Sequence, residues 1–124
     1  MANKKQVLVV EDDYAFRWAL VVELEKRGVD VDVAENGREA MALLGKNDYQ
    51  IVLLDLKLPR VSGEDIVAHI ATSPQRPRVL IVTGYPEIAQ TVQDERPELV
   101  ARTYVKPVNV TTVTEDLLRD LSAA

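Results

Sequence analysis

The sequence predicts an α/β protein built on a five-stranded parallel sheet with helices on both faces. Three observations support this. The short runs Val7–Val10, Ile51–Leu54 and Val79–Val82 contain no polar residue, the composition of strands covered on both sides. Between them, apolar residues recur at the three- and four-residue spacing of helices. Run and spacing alternate five times along 124 residues, as expected of parallel strands joined by helical crossovers.

Taken in order, Val7–Val10 leads into Glu11-Asp12-Asp13. Asp13 is placed to cap a helix whose Phe16, Leu20 and Leu24 share a face, and Gly28 is placed to end it. Trp18 on that helix is expected to pack. In Val29–Ala34, valines alternate with Asp30 and Asp32, the pattern of an edge strand wet on one face. Arg38–Leu44 carries Ala40, Leu43 and Leu44 as a second helix, with Gly45 as its expected stop. Ile51–Leu54 runs into Asp55. Ser62-Gly63-Glu64-Asp65 opens a helix carrying Ile66 and Ile70, on which His69 should face solvent. Val79–Val82 runs into Thr83. Ile88 and Val92 suit a fourth helix, which Pro97 should interrupt or follow with a separate turn. Thr103-Tyr104-Val105 is short and polar enough for the other sheet edge, and runs into Lys106. Asn109 precedes a last helix with Val110, Val113, Leu117 and Leu121 on its apolar side.

With the second and fifth strands at the edges, the other three are interior. The order 2-1-3-4-5 satisfies this; it is the order of flavodoxin-like doubly wound sheets and is taken from that class. It sets the first and third strands side by side at the switch point, so Glu11, Asp12 and Asp55 should meet in one crevice at the strand ends.

Composition narrows the function. One domain spanning 1–124 is expected, and 47% hydrophobic with 28% charged residues is ordinary for a soluble globular chain. The absence of cysteine excludes disulfides, thiolate metal sites and cysteine nucleophiles, and a single histidine disfavours a histidine-rich metal site or a Ser-His-Asp triad. A net charge of -5 argues against direct nucleic-acid binding. No apolar run suits membrane insertion or a signal peptide, so a cytoplasmic location is expected.

Clustered acids repel one another and need a cation. At ~4 Å and an effective dielectric of ~20, an ammonium offsets a carboxylate by about 4 kcal/mol. Lys106 is a plausible counterion, but one lysine does not balance three acids. Mg²⁺, held by one or two carboxylates and several waters, would complete the balance.

Four segments resemble the response-regulator receiver domain across essentially the whole chain. Val9-Val10-Glu11-Asp12-Asp13 resembles that family's acidic pair. Leu54-Asp55-Leu56-Lys57-Leu58-Pro59 with Ser62-Gly63 resembles its phosphoacceptor segment. Ile81-Val82-Thr83-Gly84 resembles its hydroxyl segment, and Tyr104-Val105-Lys106-Pro107 its lysine segment. Each is weak alone; together, in order and at strand ends, they are specific.

The resemblance implies a signalling switch rather than an enzyme beyond self-phosphotransfer and auto-dephosphorylation. Asp55 would accept a phosphoryl group from the phosphohistidine of a sensor histidine kinase or histidine phosphotransfer protein. Glu11, Asp12, Asp55 and the backbone carbonyl of Lys57 would hold Mg²⁺, and Lys106 would bind a phosphoryl oxygen. Thr83 would donate its hydroxyl to the phosphoryl group, and Tyr104 would turn into the space vacated. The surface of the fourth helix, fifth strand and fifth helix would then control an unknown downstream protein. The resemblance also implies a cis Lys106–Pro107 bond. Lys57 and Tyr85 occupy positions that the family uses to tune phosphoryl loss. A phosphorylation-dependent homodimer stays open, since Arg96-Pro97-Glu98 departs from the family at the end of the fourth helix and no dimer mode carries over. Two other readings are a scaffold with a receiver fold that is never phosphorylated and an aspartyl-phosphate phosphatase of the dehalogenase type. The latter needs an acid two residues after its nucleophile, where this chain has Lys57.

Overall fold

A computed structural model describes residues 3–58 and 60–123. Pro59, which closes the segment resembling the phosphoacceptor motif, lies outside them. The elements run β1 (Asn3–Val10), α1 (Tyr14–Lys26), β2 (Val31–Ala34), α2 (Gly37–Lys46), β3 (Asn47–Leu54), α3 (Gly63–Thr72), β4 (Arg78–Thr83), α4 (Pro86–Glu95), β5 (Val100–Val105) and α5 (Val110–Ser122). The five strands form one parallel sheet in the order β2-β1-β3-β4-β5, with β2 and β5 at its edges. This is the flavodoxin-like arrangement expected. Among the described residues no helix is long and apolar enough to cross a membrane.

The wholly apolar runs follow from two cores, one on each side of the sheet. Leu8, Val10, Val52, Leu54, Val79 and Ile81 point to one side, where Ala40 of α2, Ile66 and Ile70 of α3, and Ala89 and Val92 of α4 cover them. Their alternate neighbours Val7, Val9, Ile51, Leu53, Leu80 and Val82 point to the other, against Leu20 and Leu24 of α1 and Val113 and Leu117 of α5. A period of two with both sides covered leaves no place for a polar residue in the middle of these strands.

Boundaries differ from the sequence reading for local reasons. The second strand starts at Val31 rather than Val29. Val31 packs into the α1–α5 core, but Val33, further along the same face, is exposed. Gly45 does not stop α2. Of the glycines only Gly28 has a positive φ, at +78°, where it ends α1 after Arg27. α2 instead runs to Lys46, and the Asn47 side chain and backbone N–H both donate to the Leu43 carbonyl. β3 therefore begins directly at Asn47, its polar start paired with the polar start of β1. After α4, Pro97 stands in a turn closed by Leu99 and Val100 N–H groups on the Arg96 carbonyl, so β5 starts at Val100, three residues before Thr103.

Gly63 positions the site. A Cβ there would meet the Asp55 carbonyl oxygen at 2.8 Å and the Leu56 Cα closer still. The bare glycine lets the start of α3 lie against the backbone that carries Asp55, where the Gly63 N–H donates to the Leu56 carbonyl at 3.1 Å.

Candidate functional site

The site is built from the C-terminal ends of β1, β3, β4 and β5. Glu11 follows β1 and Asp55 follows β3, and the two strands pair directly, so their acids are neighbours. The Asp55 N–H donates to the Val10 carbonyl at 3.0 Å and the Glu11 N–H to the Ala34 carbonyl at 3.0 Å, carrying the sheet's pairing one residue into the loops. Carboxylate oxygens of Glu11, Asp12 and Asp55 lie within 4.8 Å of one another. Glu11 and Asp55 are buried and Asp12 is exposed. Asp13 belongs to the helix instead, capping α1 by accepting from the Ala15 and Phe16 N–H groups.

Lys106 enters from the end of β5. Its Nζ lies 2.6 Å from Glu11 Oε1 and 3.0 Å from Asp55 Oδ2, so one ammonium bridges two buried carboxylates. The second oxygen of each acid is also held. Glu11 Oε2 accepts from the Asp13 N–H at 3.1 Å, and Asp55 Oδ1 accepts from the Lys57 N–H at 3.0 Å. Burial pushes the Glu11 carboxyl up to about 7, against the opposing pull of its Lys106 hydrogen bond. Burial also works against the Lys106 charge, but hydrogen bonds to Glu11 and Asp55 outweigh it and hold the ammonium above its ordinary value. The Lys106–Pro107 bond is cis.

Thr83 ends β4 and is fully buried. Its carbonyl accepts the Lys106 N–H at 2.9 Å, which ties the hydroxyl-bearing strand to the lysine-bearing one. Lys57 and Tyr85 meet above the loops, with Lys57 Nζ 4.9 Å from the centre of the Tyr85 ring. Both are exposed.

Tyr104 is not brought to Thr83. It pairs with Val82 and packs with Val82 and Leu80 on the α1–α5 side. Thr83 continues the alternation of Val79 and Ile81, which face the α2–α3–α4 core. On β5, Thr103 and Val105 share the Thr83 face. Tyr104 instead donates its hydroxyl to Asp116 of α5 at 2.6 Å, and that hydrogen bond draws the Asp116 carboxyl below its ordinary value. A Tyr104 ring turning into space beside Thr83 does not fit this placement, because consecutive strand residues take opposite faces.

Two features of α1 depart from the sequence reading or escape it. Trp18, expected to pack, is 58% exposed beside the exposed Tyr14. Arg17 is 7% exposed and donates to the Glu11 carbonyl at 2.9 Å. Its signal was its position: Arg17 falls three and seven residues before Leu20 and Leu24, on the helix's buried stripe. His69, as expected, faces solvent.

The donor set fits a hard divalent cation, since three carboxylates supply clustered oxygen ligands and a single ammonium leaves them under-neutralised. Residues 7–117 match the model of the response regulator receiver domain. The chain is 33% identical over 111 residues to sporulation initiation phosphotransferase F of Bacillus subtilis, covering 89% of this chain and 87% of that one. It is 35% identical over 88 residues to the transcriptional regulatory protein CutR of Streptomyces coelicolor, covering 71% of this chain and 41% of CutR. The chain therefore spans about two-fifths of the CutR relatives' length. Among solved structures, it resembles the response regulator protein TrrA of Thermotoga maritima in complex with Mg²⁺-BeF, with a TM-score of 0.78, 26% identity, and coverage of 94% of this chain and 98% of that one.

Proposed function

The chain belongs to the response regulator receiver domain family, and on that premise we propose that it is a switch set by phosphorylation of Asp55. The observation that supports this most directly is the Lys106 bridge between buried Glu11 and Asp55, with Asp12 beside them. An unpaired buried carboxylate is costly, and this one is held by contacts that also suit an acyl phosphate.

In the proposed reaction an Asp55 carboxylate oxygen attacks the phosphorus of a phosphohistidine on a sensor kinase or phosphotransfer protein. The P–O bond forms as the P–N bond breaks, and the leaving imidazole keeps the electron pair and takes a proton from solvent. Glu11, Asp12, Asp55 and the Lys57 carbonyl would hold Mg²⁺, an ion with which the similar TrrA was solved in complex. The ion, when bound, supplies charge that offsets the transferring phosphoryl group. Lys106 releases its hold on the Asp55 oxygen and binds a phosphoryl oxygen, and the Thr83 hydroxyl binds another. Movement of Thr83 would pass to β5 through the Lys106 N–H on its carbonyl and through Thr103 and Val105 on its face, and so to the α4–β5–α5 surface. A downstream protein, or a second phosphorylated copy of the chain, would read that surface.

Incubation of the wild-type chain with Mg²⁺ and acetyl phosphate is expected to add one phosphoryl group, read by intact mass, and to add none in excess EDTA. No uptake under any condition would favour the scaffold reading instead. Lys57 and Tyr85, joined by their cation–π contact, would cover the acyl phosphate against the hydrolytic water. Replacing both by alanine is expected to speed phosphoryl loss about threefold, the rate equivalent of a contact worth roughly 0.5–1 kcal/mol. Decay no faster than wild type would remove these two residues from the tuning role.

A further inference from the structure

Arg17 is a buried arginine in a helix that otherwise buries Leu20 and Leu24. A buried guanidinium is unfavourable unless its donors are matched. Here Nη1 donates to the Glu11 carbonyl at 2.9 Å and Nη2 to Glu35 Oε1 at 2.9 Å. Glu35 lies in the loop after β2, so one side chain links α1, the acid-bearing loop after β1 and the loop after β2.

The Glu11 carbonyl belongs to the peptide group joining Glu11 to Asp12. The other handles of Glu11 are fixed as well: its N–H by the Ala34 carbonyl, Oε1 by Lys106 and Oε2 by the Asp13 N–H. The Asp12 carboxylate differs, being exposed and taking part in no hydrogen bond or ion pair among the described residues. Its direction is therefore set by the backbone on either side. The Asp13 side follows from that residue's capping of α1, and the Glu11 side from the peptide plane that Arg17 holds.

We infer that Arg17 is a positioning residue for divalent-metal binding: anchored by Glu35, it orients the Glu11–Asp12 peptide so that the free Asp12 carboxylate points into the acid cluster. This rests on the metal site of the proposed function. The hydrogen bonds of Arg17 go to a carbonyl and to Glu35, and among the described residues none reaches a carboxylate of the cluster, so it does not compete with the metal for them. Groups that orient metal ligands from behind typically contribute 10–100-fold to affinity.

The test is a calorimetric titration of the full chain with Mg²⁺ alone, for wild type, Arg17→Met, Arg17→Lys and Glu35→Ala, beside urea unfolding of each without metal. The expected result is a Mg²⁺ Kd weakened about tenfold in Arg17→Met, with the smaller losses of about threefold in Glu35→Ala and Arg17→Lys, where one of two tethers survives. Glu35 is exposed at the surface, so its variant carries the test if Arg17→Met does not fold. A positioning role further predicts that acetyl phosphate uptake by Glu35→Ala returns to the wild-type rate at saturating Mg²⁺, a recovery that general loosening of the loop would not give. Wild-type Mg²⁺ affinity in both Glu35→Ala and Arg17→Lys overturns the inference alone. A wild type that binds no Mg²⁺ overturns the metal reading of the site and this inference with it.

Discussion

Asp55→Asn is expected to take up no phosphoryl group under conditions in which the wild-type chain takes up one, while keeping its fold. The substitution preserves shape, and the amide oxygen can still accept the Lys57 N–H that Asp55 Oδ1 accepts at 3.0 Å. What disappears is the anionic oxygen that would attack phosphorus, and a neutral amide oxygen does not replace it as a nucleophile. Two electrostatic changes accompany the loss and oppose each other. The attraction between Lys106 and Asp55 Oδ2 is removed, but so is the repulsion between Asp55 and Glu11. Each is of order 4 kcal/mol at an effective dielectric of ~20, and they offset each other only where Glu11 is ionised, so the stability control belongs above about pH 7, where the net change should be small. Lys106 remains paired with Glu11 at 2.6 Å. Mass spectrometry after incubation with acetyl phosphate and Mg²⁺, with urea unfolding as the control, reads both halves. A folded variant that still gains a phosphoryl group would move the acceptor to Glu11 or Asp12 and end the assignment of Asp55.

The alternation of strands and helices, both sheet edges and the convergence of Glu11, Asp12, Asp55 and Lys106 were legible because they rest on runs and on the residues that follow them. A strand buried on both sides cannot hide a polar residue, so Val7–Val10 and Ile51–Leu54 announce themselves, and their first polar successors mark the site. The polar halves of the same strands were invisible for the converse reason: Asn47–Gln50 pairs with the polar start of β1 and has no apolar signature. Tyr104 was misjudged at a finer scale. Near the end of a strand a shift of one residue exchanges the two faces, and only the register Val82↔Tyr104 shows which face it takes. Arg17 and Trp18 failed together, because counting apolar residues on α1 discards an arginine on the buried stripe and credits a tryptophan that lies off it. The pairings Arg17 makes with Glu11 and Glu35 join segments distant in sequence, and no local pattern carries them.

Metal-free stability is expected to fall as pH rises from about 4.5 to about 7, by about 3 kcal/mol, because of Glu11 alone. The sign follows from proton counting. Glu11 ionises near 4.5 when unfolded and near 7 when folded, since burial disfavours its charge. Between those values the folded chain binds more protons than the unfolded chain, so raising the pH favours unfolding. Below about 4.5 both forms are protonated and the penalty is absent; above about 7 both are ionised and it is complete. Other shifted groups act elsewhere. Asp116 is drawn down by its Tyr104 hydrogen bond, so its contribution is present above its unfolded value of 3.8 and is lost only as pH falls below that. Lys106 is raised above 10.5, so its contribution holds throughout the window and is lost only in strong alkali. Glu11→Gln is therefore expected to flatten the fall between about pH 4.5 and about pH 7, measured by urea unfolding in EDTA. Mg²⁺ should oppose the same fall, since a cation on the ionised carboxylate favours the form that burial disfavours, and its affinity should drop up to tenfold per pH unit below about 7. An unchanged slope in Glu11→Gln would place the titrating group elsewhere and show that Lys106 holds Glu11 ionised across the range. Glu11 would then carry its charge across the whole range beside Asp55 and Asp12, and Mg²⁺ affinity would not weaken below about pH 7 through that residue.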